Sequence, residues 1–292
     1  MSFDLHRPAT LAEAAELALR LGPGARFLAG GTDLVIQIHR GRIAPAHLID
    51  IGRLPGLDRI EVGARECALG ALATYRAIER HPAFAGELAA LAQAAGVVGG
   101  HQVRNIATVG GNIVNASPAA DFVPPLLALD AMLELFGPGG SSRTVALRDF
   151  VTGPGRTQAA SGEVLTTVRF ERPPAHSATT FLKEGRRKAM EISVVCVAAC
   201  LTVDAGAGTC VGARIAVGAA APKAFRAMRA EAFLAGRPAT AESFRAAGTL
   251  AAADASPISD VRASADYRRH LVAVLVERAL AQSLARISGG SR

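Results

Sequence analysis

Two short glycine-rich stretches have the residue types and spacing that could bind an anion. The first reads LAGGTDL at residues 28–34, and the second reads TVGGN at residues 108–112. Each places consecutive peptide N–H groups beside glycines, which carry no Cβ, and such groups can form a concave anion nest. Side chains of Thr32, Thr108, Asn112 and Ser117 could donate further hydrogen bonds. A pair of nests suits the two phosphates of one pyrophosphate, and a tight turn is the alternative interpretation of either stretch.

The common nucleotide-binding motifs do not match these stretches. Neither stretch fits G-x-x-x-x-G-K-[ST], which excludes a P-loop. Neither is a G-x-G-x-x-G that opens a βαβ unit, so a Rossmann site is not supported. A dinucleotide bound here would therefore be held in a different fold.

Regular elements surround the first stretch. Residues 10–22, TLAEAAELALRLG, predict an amphipathic helix in which Thr10 caps the N-terminus, Glu13 completes a capping box and Gly22 ends the helix. A short apolar strand, ARFL, then leads into the glycine pair. The following DLVIQIHRG predicts a second helix with Asp33 as its cap, and the positive end of that helix would add to the field at the nest.

The remainder of the chain alternates short apolar runs with turn residues and then becomes helical. Several brief strands are predicted after Pro45, and Pro173 with Pro174 marks a candidate domain boundary. Before that boundary the pattern predicts helices at about 74–80, 86–93 and in PPLLALDA, and strands at MLELF and VLTTVRF. After it the pattern predicts strands at TTFLKEG, ISVVCVAACLTV and GARIAVGAA, and helices at 224–235, 241–253 and 267–287. Strands followed by helices indicate a small α+β domain.

Amino-acid composition limits the kinds of protein that this chain can be. Half of the 292 residues are apolar and 20% are charged, which is typical of an Ala-rich α/β or α+β protein with buried hydrophobic cores. We find no continuous apolar run long enough to span a bilayer, and the N-terminal segment does not resemble a secretory signal, so we expect a cytoplasmic protein. The net charge is +7, but the densest basic cluster, Arg186, Arg187 and Lys188, has no interleaved aromatics, which favours a solvated surface over nucleic-acid binding.

Cysteine and histidine positions do not predict a metal site. The four cysteines, Cys67, Cys196, Cys200 and Cys210, form no CxxC pair, and the histidines form no helical pair. Cys196 and Cys200 lie in VVCVAACLTV, where cysteine behaves as a small apolar residue in a buried strand.

Three segments together resemble a known family: AGGTDL, HQVRNIATVGGNIVNASPAADFVPPLLALDA and TTFLKEGRRKAMEISVV. They are similar, in order and spacing, to the FAD-binding subunit of molybdenum hydroxylases, which includes the medium subunit of aerobic carbon monoxide dehydrogenase and the flavin domain of xanthine dehydrogenase. The resemblance covers nearly the whole chain. It implies an α+β fold: a two-subdomain FAD-binding domain of the vanillyl-alcohol oxidase (PCMH) type at residues 1–173, split near residue 55, and a smaller C-terminal α+β domain at residues 176–290.

The resemblance also implies which residues bind FAD, extended between the subdomains. The first pyrophosphate-binding segment would be Phe27, Leu28, Ala29, Gly30, Gly31, Thr32, Asp33 and Leu34, and the second would be Thr108, Gly110, Gly111 and Asn112. Asp121 would hydrogen-bond the adenosine or ribityl side of the cofactor. Val98 and Leu165 would be apolar residues close to the flavin, and Lys183 a basic residue near it.

Plainer interpretations remain open for four of these residues. Val98 and Leu165 have the residue types of ordinary core positions, Asp121 could cap the helix in PPLLALDA, and Lys183 could be a solvated surface residue. Glu191 departs from the family pattern, because Asp is more usual at this position of KAMEISVV.

The implied function is electron transfer through FAD, with no catalytic acid or base for substrate on this chain. The expected partners are a large molybdopterin-binding subunit and a small subunit with two [2Fe–2S] clusters, assembled as a dimer of heterotrimers. The external acceptor could be a quinone, NAD, a cytochrome or oxygen. Two alternatives stay open: a self-contained FAD-dependent oxidoreductase of the same fold superfamily, and a basic binding module without redox activity.

Overall fold

The computed structural model describes residues 2–187 and 189–289 of the chain. Lys188 of the basic cluster and Gly290 at the end of the predicted C-terminal domain lie outside the described residues. The described residues form three successive sheet-centred units, called here the first, second and third units.

The first unit is a three-stranded parallel sheet in the order β1-β3-β2, with helices on its connections. Its elements are β1 (Asp4–His6), α1 (Leu11–Leu21), β2 (Ala25–Leu28), α2 (Leu34–His39) and β3 (His47–Asp50). The predicted first helix is confirmed. Thr10 accepts a hydrogen bond from the Glu13 amide at 3.1 Å, and the Glu13 carboxylate accepts one from the amide of Ala9 at 2.7 Å, one residue earlier than a capping box requires.

The second unit is a five-stranded antiparallel sheet in the order β4-β5-β10-β6-β7. Most of its helices lie between β5 and β6, where they bury apolar faces against the sheet. The elements are β4 (Ile60–Val62), β5 (Glu66–Gly70), α3 (Tyr75–Glu79), α4 (Ala89–Gly96), α5 (His101–Arg104), α6 (Val109–Asn115), α7 (Val123–Ala128), β6 (Met132–Phe136), β7 (Ser142–Ala146), α8 (Leu147–Phe150), β8 (Val151–Gly153), β9 (Arg156–Thr157) and β10 (Val164–Glu171).

The central strand β10 of this sheet has an irregular register. Leu165 lies opposite Leu135 of β6, and the pairing shifts between Leu165 and Thr167. A bulge of this kind bends the strand and redirects its side chains. It lies beside the cavity described below, which both leucines line.

The third unit is a four-stranded antiparallel sheet in the order β11-β12-β13-β14, covered on one face by helices. Its elements are β11 (Ser177–Glu184), β12 (Val195–Asp204), β13 (Thr209–Gly218), β14 (Phe225–Arg226), α9 (Met228–Leu234), α10 (Ala241–Asp254) and α11 (Ala265–Gly289). Successive residues of a strand point to opposite faces. In β12, Cys196 and Cys200 pack into the core of the second unit, whereas Val197 and Leu201 pack against the helices.

Most predicted elements are confirmed, and the differences have local causes. Residues 225–226 pair with Ala216 and Val217 as strand β14, so the helix predicted from 224 begins at Met228. The helix predicted at 86–93 runs over Ala89–Gly96. All four cysteines are buried and unbonded, as expected for small apolar residues. Within the described residues, no helix is both long enough and apolar enough to cross a bilayer.

Candidate functional site

A cavity of about 660 Å³ opens between the first and second units, and both glycine stretches line it. Its volume lies within the roughly 300–1,000 Å³ that small-molecule and cofactor sites occupy. The residues of the predicted site that line it are Phe27, Ala29, Gly30, Gly31, Thr32, Asp33, Leu34, Val98, Thr108, Gly110, Gly111, Asn112 and Leu165. Leu28, Asp121 and Lys183 lie outside this lining.

The first glycine stretch is an irregular loop between β2 and α2 with unused hydrogen-bond donors. The peptide N–H groups of Gly30, Gly31, Thr32 and Asp33 have no hydrogen-bond acceptor among the described residues. We call these four groups the open amides. Gly31 has a φ of +70°, a conformation that glycine adopts without steric cost. Consecutive amides in such a loop form the concave donor set that binds anions.

Gly30 lets this loop approach the second unit closely. A Cβ placed on Gly30 would lie 1.8 Å from the carbonyl oxygen of Ile106 and 3.2 Å from the Cα of Ala107. Contacts that short cannot exist, so any side chain at this position would push the loop away from its neighbour. Glycine at position 30 is therefore required by backbone packing.

Asp33 stands at the N-cap position of α2, but it does not cap the helix as predicted. Its side chain accepts no hydrogen bond from the helix amides among the described residues. The carboxyl is open to solvent along the cavity, yet partial burial raises the pKa of Asp33 above its usual value. A negative charge beside the open amides is unfavourable for an anionic ligand, and protonation of Asp33 would relieve it.

The second glycine stretch differs from the prediction. The structure places Gly110 and Gly111 in the first turn of α6, with Thr108 as the N-cap, and not in a bend after an extended segment. Their amides are already used: Gly110 donates to the carbonyl of Ala71 at 2.8 Å, and Gly111 donates to Thr108 Oγ1 at 3.2 Å. The prediction of a second bare-backbone nest is therefore wrong.

Packing explains the glycine at position 110. A Cβ there would lie 2.7 Å from the Cβ of Ala71 and 2.9 Å from its carbonyl oxygen, both of which belong to the segment after β5. Gly111 is exposed, and a Cβ there would contact Thr108 Oγ1 at 2.9 Å. Gly110 thus holds α6 against the sheet, and Gly111 leaves the helix terminus accessible from the cavity.

The two stretches meet through the segment that precedes α6. Gly30 packs on the backbone of Ile106 and Ala107, and the carbonyl of Ala107 accepts a hydrogen bond from the Tyr75 amide at 3.2 Å. Thr74 and Thr108 form an isolated antiparallel bridge beside them. The open amides and the α6 turn are therefore adjacent walls of one cavity.

Asp121 and Lys183 form a buried ion pair between the second and third units. Lys183 Nζ lies 2.6 Å from Asp121 Oδ2 and also donates to the carbonyls of Glu191, at 2.8 Å, and Val97, at 3.4 Å. The hydroxyl of Ser193 donates to the other carboxylate oxygen. Burial raises the pKa of Asp121, and the charge of Lys183 opposes that rise. The interpretation of Lys183 as a solvated residue is wrong, since its side chain is 11% exposed.

The helix-cap interpretation of Asp121 is also not observed, because the N-cap of α7 is Phe122 and it makes no side-chain cap bond. Val98 and Leu165 line the cavity, and Leu165 is 5% exposed. Val98 follows directly after Val97, whose carbonyl Lys183 contacts. The ion pair therefore lies behind the cavity wall that Val98 belongs to.

Tyr75 is a cavity residue that the sequence did not point to. It is 1% exposed, and its hydroxyl has no hydrogen-bond partner within the described part of the chain. The buried side-chain oxygen of Asn112 is likewise without a partner among the described residues. Tyr75 lies in ALATYRAIE, which carries no nucleotide motif, so the residue pattern gave no signal for it.

In the described part of the chain, the charged side chains that line the cavity are Arg26, Asp33 and Glu163. Arg26 donates to the carbonyls of Pro23 and Ala25 and keeps its positive charge, whereas Glu163 is paired with Arg143 at 2.6 Å, which lowers the pKa of Glu163. Among the described residues, no group of three His, Cys, Asp or Glu side chains is placed to hold a metal ion. The open amides are therefore the concentrated donor set for an anion, and Arg26 is a cation on the wall of the same cavity.

This cavity fits a flavin dinucleotide. The open amides provide donors for phosphate, and Val98, Leu135 and Leu165 provide apolar wall for a ring. The fold and the site together define a dinucleotide-binding protein outside the Rossmann and P-loop classes.

Comparison with known proteins identifies the family. Residues 1–173 match the family described as "FAD binding domain in molybdopterin dehydrogenase", and residues 180–283 match "CO dehydrogenase flavoprotein C-terminal domain". The chain is 34% identical to the xanthine dehydrogenase FAD-binding subunit of Escherichia coli O157:H7 over 97% of both chains, and 34% identical to the carbon monoxide dehydrogenase medium chain of Afipia carboxidovorans over 98% of both.

A solved structure of carbon monoxide dehydrogenase from Hydrogenophaga pseudoflava, which lacks the Mo-pyranopterin moiety, contains a similar chain. It is 33% identical, covers 98% of both chains and superposes with a TM-score of 0.93. The chain therefore belongs to the FAD-binding subunits of molybdenum hydroxylases. It is an oxidoreductase subunit with FAD as cofactor, which confirms the family, the cofactor and the α+β fold predicted from the sequence.

Proposed function

We propose that this subunit takes electrons from iron–sulfur clusters of a partner subunit and delivers them to an external acceptor. The single observation that carries the cofactor part is the set of open amides in the cavity wall. Bound FAD would supply the exchange of one and two electrons that such a carrier needs. The chain's own residues bind that cofactor, orient it and exclude water from it.

The open amides are proposed to hold the diphosphate. Peptide dipoles of these amides can bind it, and Thr32 adds a hydroxyl donor on the same loop. Asn112 offers an amide side chain from the adjacent wall, where its buried oxygen has no partner among the described residues. That oxygen can accept a hydrogen bond from a sugar or ribityl hydroxyl.

The apolar wall is proposed to hold the flavin ring. Val98 and Leu165 line the cavity, and Leu135 lies opposite Leu165 in the sheet. Asp121 and Lys183, which lie behind this wall, are proposed to act on the cofactor by fixing the Val97–Val98 backbone through the Lys183 contact to Val97. They also join the second unit to the third.

The redox partners are proposed to be other chains. Relatives that cover nearly the whole chain are named as FAD-binding subunits and medium chains, which implies accompanying large and small chains. We infer a large molybdopterin-binding subunit, a small subunit with two [2Fe–2S] clusters and a dimer of such heterotrimers. The acceptor class, whether quinone, NAD, cytochrome or oxygen, is set by contacts around the flavin.

The domain organisation and cellular location complete the proposal. We propose a FAD-binding domain at residues 1–173, divided near residue 55, and a C-terminal domain at residues 176–290. A cytoplasmic location is supported by the four buried, unbonded cysteines, since reduced cysteines are typical of that compartment.

Purification of the tagged chain from its native source tests the electron-transfer role. We expect FAD, iron and molybdenum to co-elute with two additional chains, and we expect the chain expressed alone to contain FAD without either metal. A tagged chain that elutes by itself, free of both metals, and oxidises a substrate unaided would establish the self-contained oxidoreductase instead. The matched comparison is the same tag on the chain expressed alone.

A further inference from the structure

The buried hydroxyl of Tyr75 is a polar group that the fold itself does not satisfy. Tyr75 lies at the start of α3, is 1% exposed and lines the cofactor cavity. Its ring packs edge to face on Phe122, with centroids 5.1 Å apart, so the ring position is fixed by the core. A buried hydroxyl without a partner is costly, and in the described part of the chain this one has none.

The surroundings of Tyr75 point to the phosphate end of the cavity. Its amide donates to the carbonyl of Ala107, and the Ala107 backbone is the surface on which Gly30 packs. The preceding residue, Thr74, bridges to Thr108 at the start of α6. The backbone of Tyr75 therefore lies where the two glycine stretches meet, and its side chain lines the cavity between them.

The protonation state of Tyr75 suits a donor. Burial raises the pKa of the Tyr75 hydroxyl well above its usual value, and the carboxylates of Asp121 and Asp33 raise it further. The phenol thus stays protonated and keeps its O–H.

We propose that the Tyr75 hydroxyl donates a hydrogen bond to the diphosphate of the bound dinucleotide. This inference rests on the proposed placement of the diphosphate at the open amides. It adds a side-chain donor from α3 to a site otherwise formed by peptide N–H groups. It also explains why a polar atom is retained at a fully buried position, where phenylalanine would pack equally well against Phe122.

The test compares Tyr75→Phe with Tyr267→Phe in the full-length chain. The sequence contains two tyrosines and no tryptophan, and Tyr267 is 50% exposed on α11, so it is a matched control. Dissociation constants are measured for FAD and for ADP, which carries the diphosphate without the flavin. A hydrogen bond to a charged group corresponds to a loss of roughly 10- to 100-fold in affinity. We expect that loss for both ligands in Tyr75→Phe and none in Tyr267→Phe.

Thermal unfolding of the cofactor-free variants gives a second, opposite prediction. Because the hydroxyl has no partner in the described chain, Tyr75→Phe should unfold at the same or a higher temperature than the parent without FAD. Its temperature shift on adding FAD should be smaller than that of the parent. A cofactor-free Tyr75→Phe that unfolds earlier but binds FAD normally would overturn the proposal, because the hydroxyl would then have a structural partner.

The remaining outcomes also decide the question. Unchanged affinity for FAD overturns the proposal, and so does weaker FAD binding with unchanged ADP binding. In either case the proposed function stands if Gly30→Val still loses FAD. Should Tyr75→Phe fail to fold, the Tyr267→Phe chain leaves Tyr75 as the sole tyrosine, and inorganic pyrophosphate, which does not absorb in this region, must perturb its ultraviolet absorbance. A tyrosine absorbance that does not change on adding saturating pyrophosphate refutes the hydrogen bond.

Discussion

The two glycine stretches are similar in sequence and opposite in structure. In LAGGTDL the amides of residues 30–33 are open, whereas in TVGGN the amides of residues 109–112 all have acceptors. Val109 donates to Ala73 at 3.0 Å and Asn112 donates to the Thr108 carbonyl at 3.1 Å, in addition to the two glycine amides described above. The first stretch therefore has hydrogen-bond donors available for a ligand, and the second provides close packing and a helix terminus.

This difference shows that a glycine pair can be required for different physical reasons. At Gly31 the backbone conformation favours glycine, and at Gly30 and Gly110 the proximity of another backbone or Cβ excludes a side chain. Gly111 has a weaker constraint, because the nearest neighbour of a Cβ there is the Thr108 hydroxyl that caps the helix. Substitutions at these positions should therefore separate ligand binding from folding.

The largest effect is expected for Gly30→Val. The new side chain would collide with the Ile106 carbonyl, so the loop must move and the open amides lose their arrangement. We expect complete loss of FAD retention and a destabilisation of more than about 3 kcal/mol. Flavin content after gel filtration and urea unfolding provide the measurements. Gly212→Ala is the control, since a Cβ at Gly212 has open space around it.

If Gly30→Val retained as much FAD as Gly212→Ala, the loop at residues 30–33 would not be the phosphate site.

Lys183→Met tests how much the buried ion pair with Asp121 contributes to stability. Removing Lys183 leaves the Asp121 carboxylate buried and unpaired, which costs about 3 kcal/mol at neutral pH. Burial already raises the pKa of Asp121, and loss of the lysine raises it further. A raised pKa means that the cost is present above that pKa and is relieved as the carboxyl protonates. The deficit in unfolding free energy should therefore shrink from about pH 7.5 to about pH 5.

The double variant Lys183→Met with Asp121→Asn is the control for this titration. It removes the ionisable group, so its deficit relative to the parent should be smaller at neutral pH and should not shrink on acidification. A deficit of Lys183→Met that grows as the pH falls would contradict the assignment to Asp121.

Gly110→Ala and Gly111→Ala together test whether packing requires a glycine at each position of the second stretch. Ala at position 110 collides with Ala71 and should cost about 2 kcal/mol of unfolding free energy. Ala at position 111 contacts Thr108 Oγ1, and moving this hydroxyl would release the helix cap, so we expect a cost of at most about 1 kcal/mol. Urea unfolding measures both. Equal costs at the two positions would show that packing against Ala71 is not what requires the glycine.

Thr108→Ala is expected to have the smallest significant effect. Thr108 Oγ1 caps α6 by accepting the Gly111 amide, and loss of such a cap costs about 1 kcal/mol. Thr108→Ser keeps the hydroxyl and should retain most of the stability. FAD retention should fall far less in Thr108→Ala than in Gly30→Val, because the open amides are unaffected. A Thr108→Ala chain that lost FAD as completely as Gly30→Val would assign the phosphate to the second stretch instead.

The sequence predicted elements whose signals are local and missed contacts between distant residues. Caps at Thr10 and Thr108 act within three residues, and the cap at Thr10 marked the first helix correctly. The Gly110 amide, by contrast, bonds to Ala71, and Lys183 pairs with a residue 62 positions earlier. A glycine pair looks the same whether its amides are open or already bonded, so the nature of the second stretch required the structure.

The candidate site was predicted in outline for the same reason. Motif residues such as Gly30 and Leu165 do line one cavity, because motif order and spacing reflect the fold. Tyr75 belongs to no motif, and its relevance lies in a hydroxyl that three-dimensional packing leaves without a partner in the described chain. The strand β14 was also missed, since two residues carry too little pattern to be recognised before their pairing with β13 is known.

Amide hydrogen exchange of the full-length chain, with and without FAD, shows which of the two stretches binds the diphosphate. Residues 30–33 should exchange rapidly without FAD and become strongly protected when it binds. Residues 109–112, whose amides already have acceptors, should be protected in both states. New protection at 109–112 with no change at 30–33 would show instead that the second stretch, and not the open amides, contacts the cofactor.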